Sequence, residues 1–229
     1  VNAERAQSNV NALYPPHQFA TFLANHDQNR TRSRLLNDDQ AKTAASLQLL
    51  FGGVPFIYYG EEIGQQGNKP DENIRRPMQW TAEGGFSVDD TAVPWNDYFE
   101  DLPTRNVAAQ TDDPDSLLSH YRRLIQLRLA EEALRTGNWQ LVESDDRGVY
   151  AFVRQTNEDT LLVVINLSKN LVDTYTLSLD NLGLTGGTAE EIFTGNTAVT
   201  PPALTTAGGF DTYTPLPLPP YSTFVIRLE

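Results

Sequence analysis

Asn25-His26-Asp27-Gln28-Asn29-Arg30 is the densest polar group in the first 137 residues, and it directly follows an apolar run. In barrels of parallel strands the active site lies at the C-terminal strand ends, so polar residues in that position carry functional weight. Capping accounts for them equally well, because Asn and Asp after a strand often satisfy free backbone N–H groups. A second polar group, Gly60-Glu61-Glu62, follows another apolar run. Asp27 with Glu61 would make the paired carboxylates of a glycosidase, but two exposed loop acids is the simpler reading. The third group is Asn73-Ile74-Arg75-Arg76-Pro77-Met78-Gln79-Trp80. An arginine beside a tryptophan can hydrogen-bond sugar hydroxyls while the indole stacks on a sugar face. On spacing alone, a loop pinned by an ion pair and a buried Trp fits better.

The elements that must position these groups are legible from periodicity. His17–Asn25 is short, apolar and Phe-rich, as suits a strand buried on both faces. Asp38 and Asp39 offer an N-cap to a helix over Gln40–Phe51, closed by Gly52-Gly53. Val54–Tyr59 is a second buried strand ending at Gly60. Strand, helix and strand make a βαβ unit, which implies a parallel pair with a right-handed crossover. Glu61–Pro114 reads as one long irregular loop, and loops of that length are usually functional. A helix follows, with Asp113-Pro114 as its start signal, Leu117, Tyr121, Leu124, Ile125 and Arg128 as its repeat, and Gly137 as its end. Its Arg-rich outer face reads as solvated surface.

After Gly137 the period changes from 3.6 to 2. Gly148–Arg154, Thr160–Leu167, Thr174–Leu179 and Ser222–Leu228 alternate or run apolar, separated by polar turns. These are expected to form an antiparallel sandwich of about 90 residues. The expected domains are therefore residues 1–137 and 138–229.

The bulk numbers exclude several roles. The 229 residues are 39% hydrophobic and 21% charged, values of a folded globular chain. The net charge of −13 argues against a nucleic-acid partner, because phosphate binding needs clustered Lys and Arg. Cysteine is absent, which removes disulfides, zinc–thiolate centres and a Cys nucleophile. No apolar run approaches the roughly 20 residues that span a bilayer. The chain starts at Val1, in a stretch (Val1–Val10) that reads as helical, so we expect a cut within a longer protein.

Three motifs in order, FLANHDQNR (22–30), GVPFIYYGEEIG (53–64) and RRPMQW (75–80), resemble the α-amylase superfamily, glycoside hydrolase family thirteen. The flavour is that of the α-glucosidases and oligo-1,6-glucosidases, which share the PMQW segment. The resemblance covers nearly the whole chain, through to the closing segment LPPYSTFVIRL (218–228). It implies an α/β plus all-β fold: the last two strands and helices of a (β/α)8 TIM barrel, then an antiparallel Greek-key β-sandwich.

The family retains anomeric configuration through a covalent glycosyl-enzyme intermediate. Asp27 matches its third carboxylate, which stabilises the oxocarbenium-like transition state. His26 matches the histidine that hydrogen-bonds the same sugar. Arg30 matches the basic residue of the motif and is expected to support the substrate site. Arg76 matches an arginine near the cleft. Glu61 and Glu62 match no catalytic position, so the Asp27–Glu61 pair is discarded. The family's nucleophile Asp, in a GxRxDxxxH segment, and its acid/base Glu are both absent from these residues. They are expected N-terminal to Val1, as are most of the calcium ligands found in some members; this chain is expected to carry no cofactor or metal ligands of its own.

The resemblance thus implies a glycosidase acting on starch-type α-glucans or malto- and isomalto-oligosaccharides, inactive as this chain alone. A non-catalytic carbohydrate-binding or transporter-associated member of the same fold is the alternative. Self-association is expected from the uncovered barrel strands, and the family flavour leans toward an extracellular location.

Overall fold

His17–Asn25 and Val54–Tyr59 do pair, but only two residues of each are strand: β1, Ala20–Thr21, and β2, Val54–Pro55. The computed structural model describes residues 5, 9–10, 12–14, 17–89, 91–195 and 197–229. Val54 N–H donates to the Phe19 carbonyl and Phe56 N–H to Thr21, both at 2.8 Å. The bonds advance in the same direction on both segments, as in a parallel pair. The expected strands are shorter than their apolar runs because a strand extends only as far as its ladder. Pro55 has no N–H to give, and residues 22–25 find no ladder partner among those described. The helical reading of Val1–Val10 falls mostly outside the described residues; Arg5, Asn9 and Val10 are helical.

Helix α1, Asp38–Leu50, joins the two strands. Its cap is Asn37, not the expected Asp38 or Asp39: Asn37 Oδ1 accepts from Gln40 N–H at 3.0 Å. The two aspartates occupy the first turn, where their charge complements the helix dipole. At the other end Gly53 has φ +90°, and a Cβ there would lie 2.5 Å from the Phe19 ring, so the turn requires glycine.

The segment expected as one irregular loop contains two single-turn helices, α2 (Asp71–Ile74) and α3 (Val107–Thr111). Each is too short to show a period. Asn106 caps α3, accepting from Ala109 N–H at 2.8 Å. Helix α4, Leu117–Ala130, starts at Ser116, whose Oγ accepts from Ser119 N–H at 3.1 Å; Asp113 lies a turn too early to do this. The expected single helix breaks at Glu131, and the separate turn α5, Glu132–Thr136, is the one that Gly137 ends.

The chain divides into two compact units. One comprises Ala20–Gln48 and Pro55–Ile125 and holds every candidate functional residue. The other comprises the described part of Val1–Phe19 with Leu49–Val54 and Gln126–Glu229.

In that second unit the period-two sequence forms seven strands: β3 Asn138–Ser144, β4 Val149–Gln155, β5 Thr160–Asn166, β6 Leu177–Asn181, β7 Ala189–Glu191, β8 Gly208–Tyr213 and β9 Thr223–Leu228. Sequence patterning missed β3, β7 and β8, which are polar or short. The spatial order is β7-β9-β5-β4-β3-β6-β8, with every described pairing antiparallel. Strands β3, β4 and β5 form a meander, and β6 returns beside β3, which is Greek-key connectivity.

The core between the sheets is set by alternation. Val149, Ala151 and Val153 face Leu177, Leu179, Phe210 and Tyr213, all buried. Strand β5 is buried on both faces, and helix α5 packs against it and against β4. Each large apolar side chain buried here contributes roughly 1.5–3 kcal/mol.

Two arginines of this unit close the end of α1. Arg128 donates to the carbonyls of Leu49 (2.7 Å), Phe51 (3.1 Å) and Gly53 (2.6 Å). Arg154, fully buried, donates to Leu50 (3.1 Å), Phe51 (2.8 Å) and Gly137 (3.0 Å). They satisfy carbonyls that a helix end leaves without partners. Arg128 thus turns inward, as its place in the repeat implied, while Arg122 and Arg123 of the outer face are exposed.

Candidate functional site

Beyond β1 the chain turns at Asn25, whose Oδ1 accepts from Asp27 N–H at 2.9 Å. That turn lifts His26 and Asp27 clear of the strand, and their side chains are 66% and 63% exposed. His26 Nε2 lies 3.3 Å from Asp27 Oδ2. The capping expectation and the functional one therefore attach to different residues: Asn25 shapes the turn, and the His-Asp pair is presented to solvent.

Arg75, one residue past α2, fixes the pair. Its Nη2 stands 3.0 Å from Asp27 Oδ1, and its Nε donates to the His26 carbonyl at 2.9 Å. The same guanidinium meets Asp71 Oδ2 at 2.6 Å, an i,i+4 pair. Lys69 also hydrogen-bonds Asp71 and, with Arg75, holds that carboxyl below its ordinary range. Arg75 is the residue touching Asp27 that the sequence reading passed over in favour of Arg76. The Asp71–Arg75 spacing was the signal that could have found it.

Arg30 lies beneath the site and is 2% exposed. Its Nε donates to the Ile74 carbonyl (2.9 Å) and its Nη1 to Tyr59 (2.7 Å). The guanidinium also sits over the rings of Tyr58 and Tyr59, 4.6 and 4.7 Å from their centroids. Burial pushes its pKa down and that of Tyr58 up to about 12. A residue so placed ties three segments together, and its burial keeps it from contact with a bulky ligand.

Arg76 points into the loop. Its Nη1 donates to the carbonyls of Asp97 (2.7 Å) and Tyr98 (2.8 Å), and its Nη2 to Asn73 Oδ1 (3.0 Å). The loop is thus pinned by charged groups, as spacing suggested. The Trp does not join in: Trp80 is 48% exposed where a buried ring was expected.

Glu61 and Glu62 are not exposed loop acids. Glu61 is 7% exposed, with Tyr121 Oη donating to its Oε1 at 3.2 Å. Burial raises its pKa to about 7 and raises that of Glu62 too. Facing inward, neither carboxylate joins the Asp27 group. Among the described residues no three His, Cys, Asp or Glu side chains are grouped to hold a metal ion, and no helix is long and apolar enough to cross a membrane.

Chemically, the arrangement offers an open carboxylate with a fixed orientation, a neighbouring imidazole, and a buried cationic underlay. It can hold sugar hydroxyls and stabilise positive charge beside Asp27. The Asp71 carboxylate shares Arg75 Nη2 with Asp27 but is itself engaged by Lys69 and Arg75.

Comparison with known proteins places these features. The profile described as "Alpha amylase, catalytic domain" matches residues 3–137, and that described as "Maltogenic Amylase, C-terminal domain" matches residues 139–225. Alpha-amylase 3 of Dictyoglomus thermophilum is 37% identical over 157 residues, covering 66% of this chain and 30% of its own length. An oligo-1,6-glucosidase of Halalkalibacterium halodurans is 33% identical over 195 residues, covering 66% of this chain and 34% of its own. The crystal structure of an α-amylase from H. orenii superposes with a TM-score of 0.70 at 32% identity, over 92% of this chain and 40% of that one. This chain thus spans well under half the length of these relatives. The architecture is part of a (β/α)8 barrel followed by an antiparallel β-sandwich.

Proposed function

Because the chain belongs to the α-amylase family, we propose that it supplies the Asp27 side of the active site of a retaining glycoside hydrolase. The substrates are α-glucosidic bonds of starch-type α-glucans or of malto- and isomalto-oligosaccharides. The observation that carries this reading is the exposed Asp27 carboxylate, held by Arg75 at 3.0 Å with His26 at 3.3 Å.

In this reading Asp27 stabilises the positive charge that develops at the anomeric carbon, and His26 hydrogen-bonds a hydroxyl of the same sugar. Arg75 keeps the carboxylate in one orientation, while Arg30 and Arg76 hold the underlying and flanking segments. The nucleophile and the acid/base, which must lie about 5–5.5 Å apart, come from outside these 229 residues, since no GxRxDxxxH segment occurs in them. This chain by itself does not cleave glycosidic bonds, because residues that act as a unit lose activity together. The exposed Phe22 and Phe56 support self-association of the isolated chain.

The alternative, a non-catalytic carbohydrate-binding or transporter-associated member of the fold, rests on the missing nucleophile segment. The intact His26-Asp27 pair opposes it. Kinetics of Asp27→Asn in a protein carrying this chain together with the two further carboxylates decide the matter. A group acting on transition-state charge lowers kcat far more than it raises KM; unchanged turnover removes Asp27 from catalysis.

A further inference from the structure

Asp71 and Asp27 meet the same nitrogen. Arg75 Nη2 lies 2.6 Å from Asp71 Oδ2 and 3.0 Å from Asp27 Oδ1, so each carboxylate takes one of its two N–H bonds. The other oxygen of Asp71 is held as well, because Lys69 Nζ donates to Oδ1. Lys69 is tied in turn to the motif that carries Asp27. Its backbone N–H donates to Asn29 Oδ1 at 2.8 Å, and two residues earlier the Gly67 carbonyl accepts from Arg30 N–H at 2.9 Å. Helix α2 supplies the remaining constraint: Asp71 is its first residue and Arg75 follows its last, an i,i+4 spacing that brings the two side chains together. The Ile74 carbonyl just before Arg75 accepts from Arg30 Nε at 2.9 Å and from Tyr58 Oη at 3.2 Å, so the backbone from which Arg75 departs is itself fixed.

The Asp27 contact by itself is a weak anchor. The side chain of Asp27 is 63% exposed and that of Arg75 31%. An ion pair this open gains little in water, while a long side chain gives up rotamer freedom to make it. Asp71 offers the guanidinium a second, shorter contact from a carboxylate already bracketed by Lys69. Charge therefore alternates along Lys69, Asp71, Arg75 and Asp27, and only the last of these carries the proposed chemistry. An aspartate in the first turn of a helix ordinarily serves the dipole, but Glu72 supplies the same charge in the same turn. Resting on the glycosidase reading above, we propose that Asp71 is a positioning residue for the reaction: it holds the Arg75 guanidinium where Arg75 orients Asp27, and it acts through Arg75 and not on the substrate.

Two measurements test this. In the enzyme carrying this chain, Asp71→Asn keeps the shape of the side chain and removes its charge. It is expected to lower kcat about tenfold with KM within about twofold, a part of the loss that outright misplacement of Asp27 causes. Glu72→Gln, which removes one charge from the same turn, stays within about twofold of wild type. In an Arg75→Ala background Asp71→Asn adds less than about twofold, because the side chain it acts through is gone. No fall in kcat, a fall shared by Glu72→Gln, or a fall of the same size without Arg75 overturns the proposal and leaves the glycosidase reading standing. The second measurement needs no turnover. The Arg75 Nε–H resonance of the 229-residue chain, assigned by its loss in Arg75→Lys, is expected to be sharp in wild type and to broaden away in Asp71→Asn; an unchanged resonance overturns the anchor. A resonance that depends on Asp71, in a protein that carries the two further carboxylates and turns nothing over, overturns the glycosidase reading alone. A resonance independent of Asp71 together with no turnover overturns both.

Discussion

Arg75 holds Asp27 by two routes at once, meeting its carboxylate at 3.0 Å and fixing the adjoining backbone through the His26 carbonyl at 2.9 Å. A bidentate anchor of this kind sets direction as well as distance. In the active enzyme, Arg75→Ala is expected to cut kcat by roughly 10²-fold with a smaller change in KM, since misplacement by about 1 Å has that effect. Arg75→Lys recovers little, because an ammonium cannot reproduce the planar fork. Steady-state kinetics of the two variants check this, and wild-type kcat in Arg75→Ala would show that Asp27 orients itself.

Purified free of host amylases, the 229-residue chain is expected to show no turnover of maltose, isomaltose, p-nitrophenyl α-glucoside or starch overnight. One carboxylate cannot perform double displacement. Turnover that disappears with Asp27→Ala would refute the claim.

Two buried groups make stability depend on pH in opposite directions. Glu61 has a folded pKa of about 7 against an ordinary 4.5, so the folded state holds its proton more tightly than the unfolded state does. On its account stability is highest below pH 4.5 and declines as pH rises through 7, by roughly 3 kcal/mol in full. His120, buried beside Ser46 and the Lys42 carbonyl, has its pKa lowered to about 4, chiefly by burial. It stays neutral in the fold, so stability is lost as pH falls from 6.5 toward 4. Glu61→Gln is expected to flatten the alkaline decline in thermal melts between pH 5 and 8 while leaving the acid side unchanged. Parallel wild-type and variant curves above pH 5 would show that Glu61 titrates normally.

Arg154→Met is expected to cost roughly 3 kcal/mol or more, read from urea unfolding. It keeps an unbranched apolar stem but leaves the buried carbonyls of Leu50, Phe51 and Gly137 without this donor. Replacement without loss would mean that water reaches those carbonyls.

Phe22 and Phe56 are exposed next to strands whose outer edges have no partner among the described residues. Open sheet edges with apolar side chains favour pairing between copies. Light scattering over a tenfold dilution series is expected to show a concentration-dependent mass, and the double variant Phe22→Ser, Phe56→Ser to shift it toward monomer. A constant monomer mass for the unmodified chain would show that the remnant tolerates its own edges.

By itself the sequence determined the family, through three ordered motifs, and with it the fold class and the candidate standing of His26 and Asp27. It also determined most of the sandwich, because β4, β5 and β9 carry long apolar or alternating runs whose period is a local property. Strand ends, caps and partners were decided in three dimensions. Pro55 and a ladder of two hydrogen bonds cut β2 to two residues, and Asn37 displaced the two aspartates as cap of α1. Arg75 and Arg76 are adjacent and chemically identical, yet one reaches Asp27 and the other the loop at Asp97 and Tyr98. The end of α2 sends consecutive side chains in different directions, and besides a near neighbour each meets a partner 21 to 49 residues away. Burial of Glu61 follows the same logic, because its environment is Tyr121 on α4, sixty positions on. Periodicity reports what a residue's neighbours in the chain require, whereas charge pairing and desolvation depend on residues that only the fold brings within a few ångströms.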